Sequence, residues 1–279
     1  MRHAYALTLI LAACSYEPSP SGEVGVDAAT IDNTPPDGPA QLVDSLDAAV
    51  LDAPPQVTCT TSDSTLALCL ELEDEGTAVA IDGSGKNHDA QVVGATAFTR
   101  DVPATSRART LSSISSMMVA DSPDFDLQTL TISAWVRRTA LPANNQRFGV
   151  VDVGRKQAAL AIDAAGKVVC MVRTAADIWI GTGGATAVNE WSLVACTFAD
   201  DELCMYVFKN GSATPTVQCG FTDGAPLDLS IASGGAIGAL FDTSNQPVSK
   251  LIGAIDSIRI YKRALTAGEL CSANGISGC

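Results

Sequence analysis

One carboxylate lies in a segment that otherwise predicts a buried strand. Alternation along residues 252–261 places Asp256 on one face, where its neighbours are all apolar: Ile252, Ala254, Ile258 and Ile260. An unpaired charge among such neighbours is costly. Asp256 therefore needs an arginine, backbone donors or a metal ion.

A second group of oxygens lies earlier in the chain. Residues 82–87 offer carboxylate and carbonyl oxygens, and Glu73 and Asp74 come shortly before them. Oxygen ligands without histidine or cysteine suit Ca²⁺. We therefore expect a structural calcium ion held by Glu73, Asp74, Asp82 and Asp256. The alternative is a solvated acidic turn, with Asp256 paired to an arginine.

A tryptophan beside a carboxylate is typical of a sugar-binding surface. Asp177 and Trp179 alternate with Ile178 and Ile180, so we expect Trp179 to face outward. An exposed indole can stack on a sugar ring while Asp177 accepts hydrogen bonds from hydroxyls. The alternative is that Trp179 packs in the core, because a sandwich strand buries large residues on whichever face is inside.

The composition excludes several classes of protein. The chain has 279 residues with 17 Lys and Arg against 31 Asp and Glu, a formal net charge of −14. This balance argues against nucleic-acid binding, which needs basic residues, and against an electrostatic hold on anionic lipid. Two histidines, His3 and His88, leave little material for a histidine-rich metal site or a His-based triad.

The N-terminal residues predict export and anchoring. Residues 1–13 have a basic start and an apolar stretch, and Leu-Ala-Ala before Cys14 resembles a bacterial lipobox. Cys14 is then lipidated, and Ser15 favours the outer membrane, facing periplasm or cell surface. The alternative is an ordinary signal peptide. Residues 14–57 are acidic and proline-rich without Lys or Arg, which predicts a disordered linker before a domain at 58–279.

The cysteines predict disulfides. Eight remain after Cys14, and an even number in an exported chain favours disulfides over zinc, for which no CxxC pair exists. A tight Asn-Gly turn places Cys204 opposite Cys219. Cys170 and Cys196 both lie mid-strand, and we expect them to pair. The other four lie near the two ends of the domain, and we expect them to staple those ends: Cys59, Cys69, Cys271 and Cys279.

The domain has the pattern of an all-β protein. Short alternating segments separated by Gly, Asn and Asp turns predict an antiparallel sandwich or jelly roll, with strands near 131–137, 191–198, 203–209 and 252–261. One short C-terminal helix is predicted by the capping box that begins at Thr266 and ends at Glu269.

Several segments occur in an order that carries a family resemblance. They include residues 70–93, 119–137, 190–195, 206–211 and 253–265. In this order they resemble the bacterial laminin-G-like domain of the concanavalin A-like lectin/glucanase fold, over about residues 66–273. The resemblance implies a two-sheet antiparallel jelly roll, internal positions for Trp135 and Trp191, and structural calcium near the acidic residues named above. Residues 208–211 depart from the family's usual acidic-Gly turn.

Hydrolysis is not expected. The fold that the chain resembles includes enzymes that cleave β-glucans. Those enzymes carry the motif Glu-x-Asp-x-x-Glu on one strand, where two carboxylates act as nucleophile and acid. In this chain the comparable carboxylate cluster is residues 71–75, and its spacing does not match that motif. Glu71, Glu73 and Glu75 share a face only if their strand continues to Gly76.

We therefore expect a non-catalytic surface lipoprotein that binds carbohydrate through Asp177 and Trp179. It would be monomeric, would bind no nucleic acid, and would contact the membrane through its lipid anchor alone. The first alternative is an adhesion or structural module that binds an envelope or extracellular protein and has no affinity for sugar. The second is a glycoside hydrolase or lyase of the same fold.

Overall fold

The computed structural model describes residues 54–55, 57–74, 78–100, 107–175, 177–230 and 233–279. The expected signal peptide, the expected lipidation site Cys14 and nearly all of the expected linker lie outside these residues. The strands and the helix, in chain order, are β1 (Leu66–Leu70), β2 (Val79–Ala80), β3 (Ala90–Val93), β4 (Ala97–Arg100), β5 (Arg107–Leu111), β6 (Ser116–Val119), β7 (Leu130–Arg138), β8 (Arg147–Val153), β9 (Ala158–Asp163), β10 (Lys167–Arg173), β11 (Ile178–Ala185), β12 (Ser192–Ala199), β13 (Glu202–Lys209), β14 (Thr216–Phe221), β15 (Gly235–Ile237), β16 (Leu240–Phe241), β17 (Pro247–Val248), β18 (Gly253–Tyr261) and α1 (Ala267–Ala273).

The strands form two antiparallel sheets and a small hairpin. Sheet A has the order β14-β13-β12-β7-β18-β5-β4, with β1 also paired to β18, and sheet B has the order β11-β10-β9-β8-β15-β6-β3-β2. The hairpin β16–β17 is separate. This arrangement confirms the expected two-sheet jelly-roll sandwich with one short helix. No helix of the described part of the chain is long and apolar enough to cross a membrane.

The central part of sheet A is buried on both faces, in the strands β1, β7, β12, β13 and β18. Its inner face packs against sheet B in the main core, which includes Leu68, Ile132, Val194, Leu160 and Val172. Its outer face packs under α1 in a second cluster, which includes Trp135, Trp191, Phe208, Tyr261 and Leu270. The internal positions expected for Trp135 and Trp191 are therefore confirmed, since both rings are fully buried.

The two ends of the domain meet at one arginine. The Arg259 guanidinium, on β18, donates to the Asn274 side-chain oxygen at 3.1 Å and to the Val57 carbonyl at 2.9 Å. Asn274 caps the C-terminus of α1. Burial lowers the pKa of Arg259, so the hydrogen bonds that it makes to both ends are needed to offset its desolvation. The predicted capping box is present, with the Glu269 amide donating to Thr266 Oγ1 at 3.2 Å.

The eight cysteines of the described chain form four disulfides. Cys170–Cys196 joins β10 to β12 and so links the two sheets through the core. Cys204–Cys219 joins facing residues of β13 and β14. Both are the pairs expected from the strand pattern. The other four cysteines form one disulfide at each end of the domain, Cys59–Cys69 and Cys271–Cys279.

The outer face of sheet B is covered in part by the segment that carries β16 and β17. Leu240 packs on Ala159, Ala161 and Met171 of that face. The covering chain approaches β8 so closely that a Cβ on Gly149 would lie 2.2 Å from the Ala239 carbonyl carbon. Glycine is therefore required at position 149.

A bulge in β18 changes the faces expected for its residues. Ser257 has φ +48°, and the register with β7 shifts between Asp256 and Arg259. Ala254 consequently packs in the outer cluster of sheet A, whereas Ile258 and Ile260 pack in the main core. The expectation that Asp256 shares one face with all its apolar neighbours is therefore wrong, because one extra residue reverses the alternation.

Candidate functional site

A small apolar cleft lies where the edges of the two sheets meet. Strand β11 ends sheet B and β14 ends sheet A, and the cleft between them has a volume of about 50 Å³. The lining residues are Trp179, Ile180, Gly181, Leu203, Gly220, Phe221 and Thr222. We call this the edge cleft. Because it lies at a rim of the sandwich, it is open to solvent along one side.

Two glycines line the edge cleft, and their surroundings differ. A Cβ on Gly181 would lie 2.7 Å from the Met205 sulfur, so a side chain there would collide with β13. A Cβ on Gly220 would meet no atom within 4 Å. Gly220 faces Leu203 in the register of β13 and β14, and Leu203 points into the core. The inner face of sheet A is therefore open at Gly220.

Trp179 lies in the wall of the edge cleft but does not face outward as expected. It is half-buried and packs against the main core, whereas Ile178 packs on the opposite face of sheet B. Trp179 does lie on a strand, β11, but its indole is on the face of β11 that points toward the core. The indole Nε1 is buried and has no hydrogen-bond partner in the described chain.

Asp177 lies just before β11 and is exposed, outside the lining of the edge cleft. Its backbone is held by Thr174, whose amide donates to the Asp177 carbonyl at 2.8 Å. Its Oδ1 accepts the Ile178 amide at 2.7 Å. The second carboxylate oxygen accepts no hydrogen bond from the described residues.

Phe221 is a lining residue that the sequence did not indicate. It ends β14 and its side chain is 74% exposed, the largest exposure among the large apolar residues of the described chain. Ile180 and Val217 are also exposed on these two edge strands. Three exposed apolar residues therefore lie on the two strands that border the edge cleft.

The carboxylates expected to hold calcium accept hydrogen bonds from protein N–H and O–H groups. Asp82 is buried, and its two oxygens accept the Cys69 amide at 2.9 Å, the Ser84 amide at 3.0 Å, the Ser84 hydroxyl at 2.7 Å and the His88 amide at 3.0 Å. These four donors hold the Asp82 carboxylate between β1 and the 82–88 loop. The oxygens of Asp82 therefore do not fit a metal-ligand role, because their lone pairs already accept hydrogen bonds.

The other three expected ligands are not gathered around Asp82. The Glu73 carboxylate accepts the Arg107 amide at 3.2 Å, and Asp74 Oδ2 accepts the Ile81 amide at 3.0 Å. Both line a cleft of about 150 Å³ together with Glu71. Asp256 is buried on β18, its Oδ1 accepts the Ser257 amide at 2.7 Å, and its charge raises the pKa of Arg259 against the dominant effect of burial.

Two groups of acidic and cysteine side chains among the described residues do place ligand atoms within 4.8 Å of one another: Cys59, Cys69 and Glu71, and Glu202, Cys204 and Cys219. All four cysteines are in disulfides, so no thiolate is available in either group. The four expected calcium ligands belong to neither group. A calcium requirement therefore stays a prediction.

The carboxylate cluster near β1 is divided between structural contacts. Strand β1 ends at Leu70, and Leu72 has φ +58°, so the strand does not continue through the cluster. Glu71 Oε1 accepts the Cys59 amide, and Glu73 accepts the Arg107 amide. Glu75 lies outside the described residues.

Comparison with solved structures gives the same fold at low sequence identity. Domain 4 of AbnA, an extracellular arabinanase from Geobacillus stearothermophilus solved with arabinotriose, is 15% identical with a TM-score of 0.54, covering 75% of this chain and 98% of that chain. The binding domain of botulinum neurotoxin DC solved with SialylT is 13% identical with a TM-score of 0.55, covering 77% and 52%. Trypanosoma rangeli sialidase solved with the inhibitor DANA is 17% identical with a TM-score of 0.51, covering 74% and 32%.

These neighbours include both binding domains and an enzyme, so the fold they share does not decide between the two activities. No curated protein sequence matches the chain. A family model described as the concanavalin A-like lectin/glucanases superfamily matches residues 112–271, which is more than half of the chain and includes β6 to β18. The protein therefore belongs to the concanavalin A-like lectin/glucanase superfamily.

Proposed function

We propose that the protein is a non-catalytic module that binds carbohydrate at the edge cleft. The observation that carries this proposal is the pair of aromatic residues, half-buried Trp179 and exposed Phe221, in one open cleft. Asp177, two residues before Trp179, has one carboxylate oxygen that accepts no hydrogen bond from the described residues. Aromatic faces take the apolar side of a sugar, and a carboxylate takes its hydroxyls. The buried Trp179 Nε1 would gain an acceptor from a ligand oxygen that enters the cleft.

The superfamily and its neighbours support a saccharide ligand. Domain 4 of the arabinanase was solved with arabinotriose, and the neurotoxin binding domain with SialylT. The absence of catalysis is part of the proposal. It rests on Glu71 and Glu73, which line one cleft but whose carboxylates accept the Cys59 and Arg107 backbone amides.

Binding is tested with the oxidised protein and a panel of neutral arabino-, xylo- and gluco-oligosaccharides, by isothermal titration calorimetry. Phe221→Ala removes exposed stacking area worth about 1 kcal/mol, so Kd should rise about fivefold. Gly220→Leu should fill the cleft and abolish binding, because a side chain there meets no protein atom at its Cβ. Val93→Ala, an exposed apolar residue on β3 outside the edge cleft, is the control and should leave Kd unchanged.

Protein adhesion is the second candidate, favoured by the exposed apolar residues of the two edge strands. Ile180, Val217 and Phe221 are 49%, 43% and 74% exposed, and β14 is exposed along its whole length. An edge strand of this kind can add a strand from a partner. If the folded protein binds none of the oligosaccharides, the carbohydrate proposal fails and this candidate takes its place.

We also propose that Cys14 carries the lipid anchor that holds the domain at the outer membrane. The support is the lipobox-like run before Cys14 and the acidic, proline-rich residues after it. Several acyl chains on one residue would give stable anchoring. The protein should partition into the detergent phase, and Cys14→Ser should move it to the aqueous phase. Equal partitioning of both forms would remove the anchor from the proposal.

A further inference from the structure

Two adjoining clefts lie at the start of β8, outside the edge cleft. They share Gln146 and Arg147, and their volumes are about 390 and 460 Å³, within the range of small-molecule sites. The remaining lining residues of the first are Asn145, Asp163, Ala164 and Ala165. Those of the second are Ser113, Phe148, Pro247, Val248, Ser249, Lys250 and Ile252. We call the two together the β8 groove.

The backbone holds the two cationic residues of the β8 groove in a fixed relation. The Gly149 amide donates to the Ser249 carbonyl at 2.6 Å, and Gly149 and Lys250 form a parallel β-bridge. Arg147 lies two residues before Gly149 on β8. The hydrogen bond and the bridge therefore place Lys250 beside the start of β8, close in the fold to Arg147.

Neither cation is neutralised within the described chain. The Arg147 guanidinium makes one hydrogen bond there, from Nη1 to the Met171 sulfur at 3.8 Å, and Lys250 forms no ion pair. By contrast, Lys262 pairs with Asp124 and Arg263 with Glu269. Both cations are half-buried and have no carboxylate partner among the described residues.

One carboxylate lines this groove, and one of its two oxygens is engaged in a turn. Asp163 is opposite Arg147 in the register of β8 and β9, yet the two form no ion pair. Its Oδ1 instead accepts the Ala165 and Lys167 amides, both at 2.9 Å, in the turn between β9 and β10. The Arg147 donors consequently remain available to an incoming anion.

The other walls of the groove suit a sugar chain. Pro247, Val248 and Ile252 offer an apolar wall, and the side chains of Ser113, Asn145, Gln146 and Ser249 offer donors and acceptors for hydroxyls. We propose that the β8 groove binds an acidic oligosaccharide, with Arg147 and Lys250 holding its anionic groups. The shared chemistry is a carboxylate or a sulfate on a sugar ring. This proposal does not require that the edge cleft bind sugar.

The test measures binding of three probes by calorimetry to the oxidised Gly220→Leu variant, whose filled edge cleft removes any contribution from that site. The probes are an oligogalacturonate, a sulfated galactan oligosaccharide and a neutral galacto-oligosaccharide of similar length. We expect saturable binding of at least one acidic probe, weakening as salt is added because the charges are screened, and no comparable binding of the neutral probe. Binding of the oligogalacturonate alone identifies a carboxylate as the anion, and binding of the sulfated probe alone identifies a sulfate.

The residues are tested with Arg147→Gln and Lys250→Gln. Each should raise Kd for the acidic probe about tenfold, as expected for the loss of a charge-assisted contact. Lys209→Gln, which removes the same charge from the exposed end of β13, is the matched control and should change Kd less than twofold. Unchanged melting temperatures exclude unfolding. Equal binding of neutral and acidic probes, no binding of any acidic probe, or equal effects of all three substitutions would overturn the proposal.

Discussion

Asp152 should make the folded protein less stable as the pH rises from 4 to 7. It lies on β8 with no exposed surface, and Phe241 and Lys156 donate backbone amides to its carboxylate. Burial raises its pKa from 3.8 to about 6, because desolvation outweighs these donors and the charges of Lys156 and Arg173. A shift of this size corresponds to about 3 kcal/mol.

The sign follows from the two protonation states. Since the pKa is higher in the folded protein, the neutral form is favoured by folding, and this contribution is complete below pH 3.8 and lost as the pH rises through 6. The ionised Asp152 therefore costs stability at pH 7. About 2 kcal/mol of the total should disappear between pH 4 and pH 7.

The assay is urea unfolding of the wild type and of Asp152→Asn, with disulfides intact, at half-unit steps from pH 4 to pH 7. The variant carries no titrating group at this position, so the difference between the two free energies of unfolding isolates Asp152. The side-chain amide introduced by this substitution has one acceptor fewer for the two backbone donors. This loss shifts the difference in the free energy of unfolding by an amount that does not depend on pH. We expect the wild type to lose about 2 kcal/mol relative to the variant across this range. A difference that stays flat, or that rises with pH, would refute the reasoning.

Three further predictions concern stability. Gly149→Ala should lower the free energy of unfolding by about 3 kcal/mol, because its Cβ would collide with the Ala239 backbone, whereas Gly268→Ala, with open space around it, should leave stability unchanged or slightly raised in urea unfolding. Thr266→Ala should cost about 1 kcal/mol by removing the cap of α1, and Thr266→Ser should restore most of it in the same assay. If calcium is bound, a chelator should lower the melting temperature of the oxidised protein and added Ca²⁺ should restore it; identical melting curves would exclude a structural calcium ion.

Local sequence patterns predicted the elements that depend on neighbouring residues. The alternation near 131–137 and 203–209 corresponds to β7 and β13, and the Asn-Gly turn leads Cys204 to face Cys219. The box from Thr266 to Glu269 begins α1. In each case the signal and the structure that it specifies lie within a few residues of each other.

The features that the sequence did not reveal depend on backbone detail or on distant contacts. The reversal of faces in β18 arises from a single left-handed residue, Ser257, which alternation alone does not indicate. The inward position of Trp179 follows from which face of β11 meets the other sheet. The β8 groove requires Lys250 to lie beside Gly149, about a hundred positions earlier, and no local pattern encodes that bridge.

The Cys59–Cys69 disulfide determines how the domain responds to mechanical load. Tension on the chain before Cys59 can pass through the sulfur atoms to Cys69, so the loop and the first residues of β1 are bypassed. Cys69 faces Arg259 in the register of β1 with β18, which is itself paired to β7 within sheet A. Pulling from the N-terminal side would therefore load β1 at Cys69, where it pairs with β18, rather than peel β1 away from its N-terminal end. Reduction of the disulfide would lengthen the chain and allow β1 to detach one residue at a time.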